Sequence, residues 1–147
     1  MLDGSHLATI DDRGRVKVPA VFRKQIQEHF GTTTFFITSV KGDCALVYPA
    51  RSWQSVKDRI ASQPPSRSPV RKFRRATSYY GQAAAMDPQG RLLIHPRLRV
   101  DAGLDEEVLV MGQVDHLEVW NHARFKETLT SEPMTGNDED FLATLGV

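Results

Sequence analysis

"DDRGRVKVPAVFR" (residues 11–23) returns in altered form as "DPQGRLLIHPRLR" (residues 87–99). At an offset of 76 the two stretches share Asp11/Asp87, Gly14/Gly90, Arg15/Arg91 and Arg23/Arg99. Downstream, "TFFITSVKGDCALVYP" (34–49) resembles "EVLVMGQVDHLEVWN" (107–121), with Asp43 against Asp115 at an offset of 72. A likeness that extends over two separate stretches in the same order marks an internal repeat, the second copy being four residues tighter.

Each copy reads as a strand, an Asp-x-x-Gly turn, a strand, a helical segment and a hairpin. "LATI" and "RVKV" flank the first turn, and Arg15 and Lys17 alternate with Val16 and Val18, a period of two that sends the basic pair to one face. Gly14 and Gly90 suit a turn position with positive φ, and the Asp11 and Asp87 carboxylates can accept hydrogen bonds from turn amides. Pro19 can open a helix in which Phe22, Ile26 and Phe30 form an apolar stripe, and Gly31 ends it. "TFFITS" and "CALVY" flank the turn residues "VKGD" as a hairpin, followed by a helix with Trp53, Val56 and Ile60 on one side.

The second copy repeats the plan with "YYGQAAAM", "RLLI", a shorter "PRLRV" segment, a hairpin and a helix around Phe125 and Leu129. Neither copy has enough strand to be stable alone, so the two are expected to complete each other. The fold class is mainly β with short helices, an α+β chain. The first half spans 5–61 and the second 77–130. Between them, "SQPPSRSP" (62–69) with its three prolines predicts an extended linker, and a basic stretch continues the linker to residue 76. An acidic, loosely held tail is expected over 131–147.

At 147 residues, 40% hydrophobic and 25% charged, the composition is that of an ordinary globular chain with one core. It offers neither a long apolar span nor an apolar leader, which predicts a cytoplasmic protein, at the nucleoid if it binds DNA. Cys44, the single cysteine, sits in an apolar run and is read as a buried thiol. The net charge of +1 conceals an asymmetry: residues 1–99 hold 17 Lys and Arg against 7 Asp and Glu, while residues 100–147 hold 2 against 11. Such a division suggests a polyanion-binding face in the first region.

Two basic features could form that face. Arg13, Arg15, Lys17 and Arg23 cluster around the first turn, whereas Gln89 and Leu93 replace two of those charges in the second. The arginines at the turns have two readings. They could fold back onto the preceding aspartates and hold the turn closed, which is favoured more for Arg91 than for Arg15. Alternatively they face an anion, because clustered guanidinium groups repel unless they meet one. The second feature is "RSPVRKFRRA" (67–76), whose Lys72, Arg74 and Arg75 could touch phosphates or pair with the acidic second half.

Catalysis finds little support. His6, His29, His95, His116 and His122 share no metal-ligand spacing, and no nucleophile or phosphate-loop motif occurs, so no metal, cofactor or small-molecule substrate is expected. Asp11 and Asp87 could be posed as an acid and base pair, but turn capping accounts for both.

The paired "IDDRGRVKVPAVFR" and "MDPQGRLLIHPRLR", the "RKFRRA" before the second and the closing "VLVMGQVDHLEVWN" resemble the MraZ family of bacterial regulators over nearly the whole chain. The resemblance implies two tandem AbrB-like halves, related by a pseudo-twofold, that form a swapped-hairpin β-barrel. It further implies ring-shaped homo-oligomers and a repressor that binds repeated elements in double-stranded DNA upstream of the division and cell-wall gene cluster. Carried over by position, the DNA-contacting arginine falls on Arg15, beside Arg13 and Lys17, and Arg91 holds the equivalent place. His95 and Gln89 depart from the common pattern, so the halves are not expected to contact DNA equally. Because AbrB-like folds also neutralise toxins, an interaction module with no operator is the alternative.

Overall fold

A computed structural model describes residues 1–147. The first half supplies β1 (Ser5–Thr9), β2 (Arg15–Lys17), α1 (Ala20–His29), β3 (Thr34–Thr38), β4 (Ala45–Pro49) and α2 (Ala50–Ala61). Then α3 (Ser68–Tyr80) leads into β5 (Gln82–Ala85), β6 (Arg91–Leu93), α4 (Pro96–Ala102), β7 (Glu107–Gly112), β8 (Leu117–Asn121), α5 (His122–Ser131) and α6 (Gly136–Ala143).

The halves exchange strands. A six-stranded antiparallel sheet runs β1-β7-β8-β4-β3-β5, so the opening strand of each half lies against the hairpin of the other. The two hairpins meet in the middle, where Ala45 pairs with Val119 and Val47 with Leu117. A separate two-stranded ribbon joins β2 to β6, one strand from each half, with Val16 opposite Leu92. Neither half can therefore complete its hydrogen-bond ladders alone, which is the physical content of the expected mutual completion.

One core of 19 buried apolar residues lies beneath both structures and draws on both halves. Val16, Val18, Phe22, Ile26, Phe35 and Ile37 meet Leu92, Ile94, Leu98, Val108 and Val110 there. Phe22 and Ile26 are the buried stripe of α1, Phe30 packs at its margin, and Gly31 with φ +58° lies just past the helix. Each fully buried aliphatic or aromatic side chain of this kind contributes roughly 1.5–3 kcal/mol relative to exposure. Cys44 is buried, and loss of solvent pushes its thiol pKa up.

Two segments hold more regular structure than expected. The expected extended stretch ends at residue 67, and from Ser68 the basic part of the linker is helix α3, which runs through the 76/77 boundary. Pro69 occupies its first turn, where a missing amide costs nothing, and Val70, Phe73, Thr77 and Tyr80 recur at helical spacing on its inner side. The tail also holds a helix, α6, started by a capping box in which Thr135 Oγ1 accepts from the Asp138 amide and Asp138 accepts from the Thr135 amide. No helix of the chain is long and apolar enough to cross a membrane.

Candidate nucleic-acid interface

The Asp-x-x-Gly turns are near copies. The Gly14 amide donates to the Asp11 carbonyl at 3.0 Å and the Gly90 amide to the Asp87 carbonyl at 2.9 Å. Both glycines have positive φ, +83° and +79°. Asp11 Oδ1 accepts from the amides of Arg13 (3.0 Å) and Arg15 (2.9 Å), and Asp87 Oδ1 from those of Gln89 and Arg91, both at 2.9 Å. The remaining carboxylate oxygen takes the arginine: Nε of Arg15 to Asp11 Oδ2, and Nε of Arg91 to Asp87 Oδ2, each at 2.8 Å.

These contacts hold both carboxylates below their ordinary pKa. At Asp11 the hydrogen bond from the Arg15 amide is the largest cause, opposed by burial and reinforced by the Arg15 guanidinium. At Asp87 burial is the largest influence and works against ionisation, but the hydrogen bonds from the Arg91 amide and guanidinium outweigh it.

Of the two readings open to the turn arginines, the folded-back one holds at both, so the preference for it at Arg91 over Arg15 finds no counterpart in the geometry. Both arginines fold back on their own aspartates. The reason is local: the carboxylate that caps the turn amides is already held beside the strand, within reach of Nε four residues on. The back-pairing engages only Nε of Arg15, and the two terminal nitrogens have no hydrogen-bond partner on a side chain that keeps 30% exposure. The pairing thus fixes the stem of the side chain and leaves its fork open.

Antiparallel register then gathers the cations. Arg15 lies opposite Leu93 and Lys17 opposite Arg91, so all four occupy one face of the β2–β6 ribbon while Val16 and Leu92 are buried on the other. Lys17 Nζ donates to the Gln89 carbonyl of the other turn, and Arg91 Nη1 lies 4.0 Å from Asp11 Oδ2. Thr9, Asp11, Arg15, Lys17, Gln89 and Arg91 line a shallow polar depression of about 360 Å³. Arg13 is exposed on the turn beside it.

Sequence reasoning missed the role of the last residue in the repeated stretch. Arg23 lies over Gly90, and Arg99 over Gly14, so closely that a Cβ on either glycine would collide with the arginine. Their Nε atoms donate to the Val18 carbonyl at 3.1 Å and the Ile94 carbonyl at 2.9 Å. The Val18 amide in turn donates to Gly90, and the Ile94 amide to Gly14, both at 2.9 Å. The recurrence of both arginine and glycine in the two copies was the available signal. The two turns clasp each other, and neither Arg23 nor Arg99 has an acidic partner, so two more cations border the ribbon.

Lys72, Arg74 and Arg75 lie elsewhere, exposed on α3, with no hydrogen bond or ion pair to the ribbon. They form no salt bridge with the acidic second half either, although the sequence left that pairing open. His95, the departure in the second signature, stands where the first has Pro19; its Nδ1 accepts from the Arg97 amide at 3.1 Å and caps α4.

Comparison with known proteins agrees with this architecture. A protein-family model described as "MraZ protein, putative antitoxin-like" matches residues 1–76 and 81–142. The chain is 40% identical over 147 residues to the transcriptional regulator MraZ of Acidobacterium capsulatum and 39% identical to that of Koribacter versatilis, covering 100% of both chains in each case. It is 32% identical over 143 residues to the Escherichia coli protein of the same name, covering 94% of this chain and 93% of that one. With the paired turns, the exchanged strands and these matches taken together, the chain belongs to the MraZ family.

Proposed function

We propose that the protein is a non-enzymatic transcriptional regulator, a repressor that reads repeated elements in double-stranded DNA as a ring-shaped homo-oligomer. The observation that carries this reading is the β2–β6 ribbon, whose one face presents Arg15, Lys17 and Arg91 with Arg13 beside them. A two-stranded ribbon fits the B-DNA major groove, and an arginine fork matches the O6 and N7 acceptors of guanine, a contact that gives roughly 1–3 kcal/mol of discrimination. The open terminal nitrogens of Arg15 support its assignment as the reading residue. The back-bonded Asp11 is then a positioning group, keeping the fork from collapsing onto the protein before DNA arrives.

The halves are unequal partners in this reading. Leu93 and Gln89 stand where the first half has Lys17 and Arg13, so the second turn contributes Arg91 and an apolar contact. Lys72, Arg74 and Arg75 on α3 add phosphate-directed charge. A single such ribbon binds weakly, and several on one ring engaging several DNA repeats gain roughly 10² to 10⁴ in apparent affinity through effective concentration. The relatives' names support regulation of transcription, and the division and cell-wall gene cluster is the target that the family resemblance suggests.

Footprinting on the DNA upstream of the protein's own gene is the test. Protection of two or more evenly spaced copies of one short element is expected, and uniform protection without sequence preference would contradict the reading. The words "antitoxin-like" in the family description keep one alternative, a protein-interaction module. A second protein co-purifying in fixed ratio, with no footprint, would favour it.

A further inference from the structure

A groove of about 470 Å³ lies between α2 and α3 above β3. Its floor is aromatic: Trp53 stacks on Phe36 with centroids 4.8 Å apart and faces Phe73 at 6.4 Å. Ile60 extends the apolar wall, and Lys57 and Arg74 stand on the rim, neither with an acidic partner. Apolar surface bordered by unneutralised cations is matched by an amphipathic anion, because burial and charge then favour the same occupant.

The end of the same chain has that chemistry. Helix α6 begins with a capping box and carries Asp138, Glu139 and Asp140, none of them in a salt bridge. Phe141 on the helix and Leu145 in the turn just past its end are each 63% exposed. No buried residue lies on this helix, and its side chains bond only within the tail. A solvated tail has no need of a capped helix with aromatic and aliphatic groups on its surface. The helix is prepared for a surface that its own position does not supply.

We infer that α6 of one chain docks in the α2–α3 groove of a second copy, placing Phe141 and Leu145 against the aromatic floor and its carboxylates against Lys57 and Arg74. A second copy is favoured over the chain's own groove by topology. Because β4 and β8 run antiparallel, α2 and α5 leave the sheet at opposite ends. The connection from α5 to α6 is only residues 132–135, which span at most ~14 Å. A tail-to-groove contact joins unlike surfaces, and such heterologous contacts build rings when their rotation closes. The inference rests on the oligomer of the proposed function and names the surfaces that make it; in the assembled ring it takes Arg74 out of the phosphate-directed set given above, in which Lys72 and Arg75 remain.

The test mixes two full-length variants, each lacking one side of the contact: Phe141→Glu/Leu145→Glu in the tail and Lys57→Glu/Ile60→Glu in the groove. Circular dichroism verifies folding, and Lys57→Glu alone replaces the groove variant if the pair does not fold. Sedimentation should show wild-type assemblies well above the 16.5 kDa chain mass, loss of those assemblies in each variant, and heterodimers in the mixture, since one intact tail then meets one intact groove. The fluorescent probe anilinonaphthalene sulfonate should bind the tail variant and be excluded from the wild-type oligomer. Wild-type mass in either variant, or a mixture that stays monomeric, would overturn the inference, as would a monomeric wild type that excludes the probe through its own tail. A DNA duplex with one element separates this from the functional reading: loss of binding by wild type and tail variant alike would remove the DNA assignment and leave the docking result intact.

Discussion

Lys17 and Arg91 face each other directly across the β2–β6 ladder, two cations in a cross-strand pair. Like charges in that position destabilise a sheet, and the local relief comes from outside the pair: Asp87 takes Nε of Arg91, and the Gln89 carbonyl takes the Lys17 ammonium. An arrangement that works against its own stability is a common mark of a surface arranged for a partner.

Lys17→Gln should therefore leave stability unchanged or raise it by up to about 1 kcal/mol, the size of a cross-strand pair. It should weaken DNA binding and lower the salt slope of log K by about 0.9, one phosphate contact. Urea unfolding and fluorescence anisotropy across a salt series measure the two effects. A stability loss with unchanged DNA affinity would make Lys17 a structural clasp only.

Gly14→Ala and Gly90→Ala combine a positive φ with a collision against Arg99 or Arg23. Each should cost about 1–3 kcal/mol in urea unfolding. Arg99→Ala should relieve the collision at Gly14→Ala but not that at Gly90→Ala. Equal relief at both sites would contradict the crossed clasp.

Asp11 and Asp87 impose a definite sign on acid stability. Their folded pKa values are lowered, so they stabilise the fold at pH values above the ordinary carboxylate value of 3.8. That contribution is lost as pH falls through the folded values. Asp11→Asn should lower the urea midpoint at pH 7, and the difference from wild type should shrink below pH 3.8. A constant difference over the whole range would assign the loss to geometry rather than charge.

His95→Pro tests the departure in the second signature. His95 has φ −58°, a value proline adopts, and its counterpart Pro19 has φ −53°. Loss of the ring cap on Arg97 is offset by a less flexible unfolded chain, a gain of roughly 0.4–1 kcal/mol. Thermal unfolding should place the variant within about 1 kcal/mol of wild type, and a larger loss would show that the Nδ1 cap carries more of α4 than its geometry suggests.

The repeat was legible because its parts are local. Alternation in "RVKV", the four-residue spacing of Phe22, Ile26 and Phe30, and the glycines at positive φ each report on a few neighbouring residues. Strand exchange was legible only as a need for completion, since which edge β1 joins is settled by contacts about a hundred residues away. Helix α3 was obscured by prolines: Pro64 and Pro65 do lie outside it, but Pro69 starts it, and the inner stripe from Val70 to Tyr80 was the better guide. Of the two readings open for the turn arginines, the local geometry selects the folded-back one. Charge crowding argued that Arg15 faces outward, yet a carboxylate four residues away, already fixed by two amides, captures Nε first. Only coordinates show that this capture leaves the rest of the guanidinium open.

In the proposed function the fork of Arg15 reads DNA from a ribbon held in place by Asp11. The most direct test of this is the affinity of Arg15→Ala for duplexes bearing the element protected by the wild-type protein in footprinting, measured beside its oligomer mass. Binding reduced by roughly one to three kcal/mol per element, with discrimination between the repeat and a guanine-substituted duplex lost and the oligomer intact, is the predicted result. Wild-type affinity and wild-type sequence preference in a folded, fully assembled Arg15→Ala protein would contradict it.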